Sequence, residues 1–126
     1  MAYIYFNPNP NKLQTGDCTV RALCGALDMD WNSAYCELCA TGLSICDMPS
    51  SNITWGRMLL NKGFRYSAIP NTCPFCYTVS DFCRDNPRGV FILGTGTHVI
   101  CVKDGDYYDA WDSGDKVPIY YFSKEE

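Results

Sequence analysis

A chain of 126 residues with 47% apolar and 19% charged residues has the length and balance of one folded domain, which excludes a second domain and a disordered chain. Its 10 Lys and Arg against 14 Asp and Glu give a net charge of −4 with no basic stripe, which argues against nucleic acid as a partner. No apolar stretch approaches the roughly 20 residues that span a bilayer, and the start MAYIYFNPNP lacks the basic flank and long apolar run of a signal peptide, so the expectation is a cytoplasmic protein with no membrane partner.

The first ten residues, rich in Asn and Pro, allow a short strand at Tyr3 to Phe6 and little more, since Pro fixes φ and cannot donate to a ladder. After a turn at Thr15-Gly16, Asp17 is a good N-cap, and Val20, Leu23, Cys24 and Leu27 recur at helical spacing. Cys18 therefore falls in the first turn of a helix. Asp30 caps a second helix through Trp31, Ala34, Tyr35 and Leu38, which Gly42 is expected to close before a loop from Leu43 to about Ser51. Trp55, Met58 and Leu59, with Gly63 just beyond, predict a third helix, and Phe64 to Ile69 a short strand stopped by Pro70. Thr78 with Asp81 resembles a capping box for a fourth, short helix ending before Pro87.

From Gly89 the character changes. Val90 to Leu93, Thr97 to Val102, Tyr107 to Trp111 and Val117 to Phe122 are β-branched and aromatic runs separated by Gly, Asp and Ser, which predicts an antiparallel meander. The expected fold class is α+β, with the N-terminal helices packed on one side of a C-terminal antiparallel β-sheet in a single domain over 1–126.

The nine cysteines are odd in number, in a chain large enough to form its own core, so most read as free thiols. Cys24 and Cys101 sit in apolar patterns and read as buried core; Trp31, Trp55 and Trp111 read as core as well. Two CxxC pairs, Cys36 with Cys39 and Cys73 with Cys76, leave open a four-cysteine zinc site or a redox dithiol, but Cys36 and Cys39 lie on a predicted helix where core packing explains them too. No metal and no cofactor are expected.

A thiol at a helix N-terminus faces unpaired backbone N–H groups and the positive end of the helix dipole, both of which favour the thiolate. Cys18 is thus the most activated cysteine by placement, and the same N–H groups suit a developing oxyanion. The only conventional base is His98, which opens a strand after Gly94-Thr95-Gly96. The strong hairpin signal Asp104-Gly105 pairs Lys103 with Asp106 and brings His98 opposite Trp111, with Asp109 diagonal on the same face. Asp109 is then the acid that orients the imidazole; one extra loop residue or a bulge gives that role to Asp112.

Together, QTGDCTVRAL and the downstream GTHVICVKDGDYYDAWDSG resemble the papain-like cysteine peptidases in the broad sense. The Asp-Cys pair is similar to that of the bacteriocin-leader and NlpC-type branches, and almost the whole chain resembles small proteins of this type in bacteriophages and prophages. The resemblance implies a papain-like fold, a Cys–His–Asp order, Gln14 as a side-chain donor to the oxyanion hole, and a host cytoplasm for a phage-encoded chain. The resulting expectation is a hydrolase acting on a peptide or protein substrate through an acyl-enzyme on Cys18. The alternatives are an inactive papain-fold binding protein, such as a phage factor engaging a host protein, and an interaction module stabilised by zinc on Cys36, Cys39, Cys73 and Cys76.

Overall fold

A computed structural model describes residues 2–124 as β1 (Tyr3–Tyr5), α1 (Cys18–Leu27), α2 (Trp31–Ile45), α3 (Asn52–Asn61), β2 (Arg65–Ala68), α4 (Val79–Asp85), β3 (Val90–Gly94), β4 (Val99–Lys103), β5 (Asp106–Asp109) and β6 (Tyr120–Ser123). Three of the helices start as their side chains dictate. Asp30 accepts from the Ser33 N–H at 2.7 Å, Ser51 accepts from the Ile53 N–H, and Thr78 with Asp81 forms the reciprocal capping box. At α1 the expectation needs correction: Asp17 precedes the helix but makes no side-chain cap bond, because its carboxylate is engaged elsewhere.

Gly42 does not close α2 either. The helix runs on to Ile45 and ends at Cys46, which takes the left-handed conformation with φ of 58°. Gly42 is small for a different reason: a Cβ there would lie 2.7 Å from the carbonyl oxygen of Asp47, where the chain leaves the helix and folds back. In an open helix, Gly to Ala gains about 1 kcal/mol, whereas a backbone clash of this kind costs about 1–3 kcal/mol. Gly42→Ala is therefore expected to lower the thermal midpoint; a raised midpoint in a calorimetric scan would show that residues 46–50 move aside freely.

The sheet has six strands in the order β1-β5-β4-β3-β6-β2. The β4–β5 hairpin turns through Asp104 and Gly105, both at positive φ, and pairs Lys103 with Asp106 and Val102 with Tyr107, as an Asp-Gly turn requires. The meander ends there. The last strand, β6, crosses to the far side of β3, where Phe122 faces Ile92, and β2 adds outside it. The edge of β5 is taken instead by β1, in parallel, with Tyr3 beside Tyr107, so the sheet is mixed rather than purely antiparallel. The connection from β5 to β6 is anchored on the start of α4, where the N–H groups of Val79 and Ser80 donate to the carbonyls of Lys116 and Gly114. It re-enters the sheet through Ile119 N–H to Gly94 O.

The helices lie on both faces of this sheet, not on one. Val99 and Cys101 of β4, with Ile92 and Phe122, pack against Leu23, Leu38, Trp55 and Leu59 of α1 to α3. Ile100 and Val102 point the other way, to Val79 and Phe82 of α4 and to Leu93 and Tyr107. A strand covered on both sides shows no polar alternation, which is why Val99 to Val102 reads as an unbroken apolar run. Among the described residues, no helix is long and apolar enough to cross a membrane.

Candidate active site

Cys18 is the first residue of α1, and α1 packs on β4 and its neighbours β3 and β5, which sets the thiol against the start of β4. There the loop before the strand is held by its own polar groups. Thr95 N–H donates to His98 O at 2.9 Å, His98 N–H donates to Thr95 Oγ1 at 3.0 Å, and Gly96 takes φ of 100°. The loop thereby presents His98 to the thiol, where the His98 side chain and the Val99 backbone both act to favour the thiolate of Cys18.

On the other side of the imidazole, His98 Nε2 lies 2.7 Å from Asp109 Oδ2. Nδ1 is thus the nitrogen left for Cys18. Asp109 is completely buried and is held from four directions: Arg21 Nε donates at 3.0 Å, Ser113 Oγ at 2.7 Å and the Ala110 N–H at 2.8 Å, besides the contact with His98. Among the described residues no buried side-chain polar atom lacks a partner, so this charge network is fully satisfied.

The titration behaviour follows from these contacts. Burial pushes the Cys18 thiol up, but the hydrogen bonds from His98 and Val99, with the charges of His98 and Arg21, more than offset it and hold the thiol below its ordinary value. Burial lowers His98, yet the hydrogen bonds to Asp109 and Cys18 and their charges raise it to about 9. Burial likewise raises Asp109, and His98, Ser113 and Arg21 together bring it below the usual carboxylate range. The two shifts run in opposite directions, thiol down and imidazole up, and both favour a thiolate–imidazolium pair. The buried thiols behave oppositely: desolvation raises Cys24 and Cys83 to about 11 and Cys101 to about 12.

Arg21 is absent from the sequence reading. It lies one turn along α1 among buried apolar residues, is itself 5% exposed, and donates through Nη1 to Asp17 at 3.0 Å and through Nε to Asp109 at 3.0 Å. Asp17 also accepts from the Trp31 indole at 3.0 Å, which explains why it does not cap the helix. A lone arginine within an apolar helical stripe, four residues after an aspartate, was the available signal.

Asp112 is not at the site. Its carboxylate is exposed and accepts from the Tyr107 hydroxyl and the Gly114 N–H, because the two-residue turn leaves Asp109, not Asp112, on the His98 face. Trp111 is not core: it is 43% exposed and lies tilted against the imidazole, ring centroids 4.7 Å apart. Gln14 is exposed and lines a cleft of about 150 Å³ with Asn7, Ala110 and Trp111; among the described hydrogen bonds it makes none to Cys18 or His98.

The cysteine pairs part company. Cys73 and Cys76, which the sequence left open as zinc ligands or a redox dithiol, form a disulfide, while Cys36 and Cys39 remain unpaired on α2. Among the described residues no three His, Cys, Asp or Glu side chains gather to hold a metal, so these four cysteines do not make a common site. No protein-family model, curated protein or solved structure matches the chain, and the functional reading rests on the arrangement of Cys18, His98 and Asp109.

Proposed function

We propose that the chain is a cysteine-nucleophile hydrolase of papain-like fold, acting on a peptide, isopeptide or other amide bond. The observation that carries this reading is the hydrogen bond of His98 to the buried Asp109, with His98 acting on the Cys18 thiol at a helix N-terminus. Structural cysteines are inert because burial keeps them protonated; this one is held toward the thiolate by an imidazole that a buried carboxylate keeps charged.

The thiolate sulfur attacks the carbonyl carbon, and the carbonyl π-electrons move to oxygen, where the first N–H groups of α1 receive the charge. Gln14 borders the cleft beside Trp111 and supplies a second donor to that oxyanion. The imidazolium of His98 gives its Nδ1 proton to the departing nitrogen, the C–N bond breaks, and a thioester remains on Cys18. Water then attacks the thioester as His98 takes its proton, and the acid leaves with the sulfur again a thiolate. Asp109 and Arg21 take no proton; they hold the imidazole in orientation.

Brief iodoacetamide treatment near neutral pH, followed by mass mapping, is expected to modify Cys18 before any other cysteine, with a rate already substantial below the ordinary thiol value of 9.0. Cys24, Cys83 and Cys101 should stay unmodified until the chain unfolds. Early labelling of Cys36, Cys39 or Cys46 with Cys18 intact would remove the catalytic reading and leave a binding protein.

A further inference from the structure

Beside the first turn of α1 lies a groove of about 300 Å³ that the hydrolytic steps above do not use. Gly16 and Thr19, which bracket Cys18, line one side; Trp31, Tyr35 and Leu38 of α2 line the other, and Pro49 stands at the rim. It shares Thr15 and Asp17 with the cleft of Gln14 and Trp111. A substrate chain lying across Cys18 thus has one recess on either side of the segment that leads into the nucleophile.

The character of this groove is set by its aromatic wall. Trp31 and Tyr35 stack with centroids 5.0 Å apart and planes 19° apart, yet Tyr35 is 47% exposed, so a large apolar surface stands uncovered. The only polar atom of the Trp31 ring is committed to Asp17, and Asp17 is paired with Arg21, so the one charge bordering the groove is already met within the protein. The rim is fixed in advance: Thr54 Oγ1 donates to Met48 O at 2.7 Å and Ser51 Oγ to Asp47 Oδ2 at 2.8 Å.

We propose that this groove receives a flat apolar side chain of the substrate, so that the bond cut at Cys18 lies next to a Phe, Tyr or Trp. The proposal rests on the hydrolase reading and adds its substrate class. An apolar cavity of about 150 Å³ takes a benzene ring, so a groove of this volume accommodates a phenyl or an indole, and stacked aromatic walls favour a further ring in offset or edge contact. A cationic side chain gains little here, because Asp17 has no unmet charge.

The test uses dipeptidyl chloromethyl ketones, Ac-Phe-Gly, Ac-Gly-Phe, Ac-Lys-Gly, Ac-Gly-Lys and Ac-Gly-Gly, on the full chain. In each, the Cys18 thiolate displaces chloride to form a thioether, so the rate reads recognition next to the nucleophile. At least one Phe reagent is expected to react about tenfold or more faster than Gly-Gly, the scale on which apolar pockets discriminate, and faster than either Lys reagent. Tyr35→Ala, which removes half of the wall, and Ser50→Trp, which fills the mouth, should each bring that ratio toward one.

Equal rates for all five while iodoacetamide still modifies Cys18 would overturn the groove and leave the hydrolase reading standing, and a preference for Lys would overturn it as well. Should Cys18 resist every reagent, the hydrolase reading fails, and the groove is decided by the indole NMR signal of Trp31, assigned through Trp31→Phe. A shift on adding N-acetylphenylalanine amide but not N-acetylglycine amide supports an aromatic site; no shift overturns it.

Discussion

Asp109→Asn is expected to destabilise the chain by about 3 kcal/mol, the lower end for breaking a buried ion pair, and so to lower the thermal midpoint by roughly 10 °C for a domain of this size. The carboxylate is fully buried between Arg21 and His98. The neutral amide leaves the Arg21 guanidinium, 7% exposed at its side chain, with Asp17 as its remaining carboxylate. The same change removes the group that favours the charged imidazole, so alkylation of Cys18 near neutral pH should slow. Because the carboxyl is held below its ordinary value of 3.8, its contribution to stability is present above that pH and is lost as the pH falls through the lower, folded-state value. Asp112→Asn serves as the contrast. Among the described residues that carboxylate accepts from Tyr107 and the Gly114 N–H, and its replacement should leave the Cys18 profile in place; the reverse pattern would overturn the assignment of Asp109.

His98→Ala is expected to slow Cys18 alkylation near neutral pH by at least about tenfold, since each unit of upward shift in the thiol pKa lowers the thiolate fraction tenfold. With the imidazole gone, the largest remaining influence on the sulfur is burial, which favours the protonated thiol. At alkaline pH, where any thiol ionises, the two chains should converge. The sign for stability is definite. His98 rises from 6.5 to about 9 on folding, so its contribution is fully present below 6.5 and is lost as the pH rises through about 9. The difference in thermal midpoint between the native chain and His98→Ala should therefore shrink across that upper range. A flat difference from neutral to strongly alkaline pH would show that His98 is not charged next to Cys18.

What the sequence made legible is local. Asp104-Gly105 specified the turn type, hence the register, hence that Asp109 and Trp111 share the His98 side of the sheet. Thr78 and Asp81 specified a helix start, and the Thr15-Gly16 turn before Cys18 placed the thiol at another. Three features were hidden because distant residues decide them. The crossing of β6 to β3 depends on how residues 110–119 lie on α4, which periodicity within a strand does not encode. Gly42 reads as a helix end by residue type, whereas its smallness serves a contact with the returning chain. Arg21 drew no reading from the sequence, and only the meeting of α1 with β5 shows that it lies between two carboxylates.

The parallel pairing of β1 with β5 ties the centre to the far end of the chain. Phe6 N–H and the Tyr3 hydroxyl both reach the backbone carbonyl of Asp109, at 2.8 and 3.1 Å, so the acid is anchored by residues more than a hundred positions earlier. Closing a contact of that span carries a larger entropy loss than any local turn and is rewarded only once the rest of the sheet exists. The helices and the β4–β5 hairpin are built from neighbouring residues, whereas β1 has its strand partner only in β5. Nucleophile, base and acid thus come from segments far apart in the chain, and their register depends on contacts of long sequence separation rather than on any local turn.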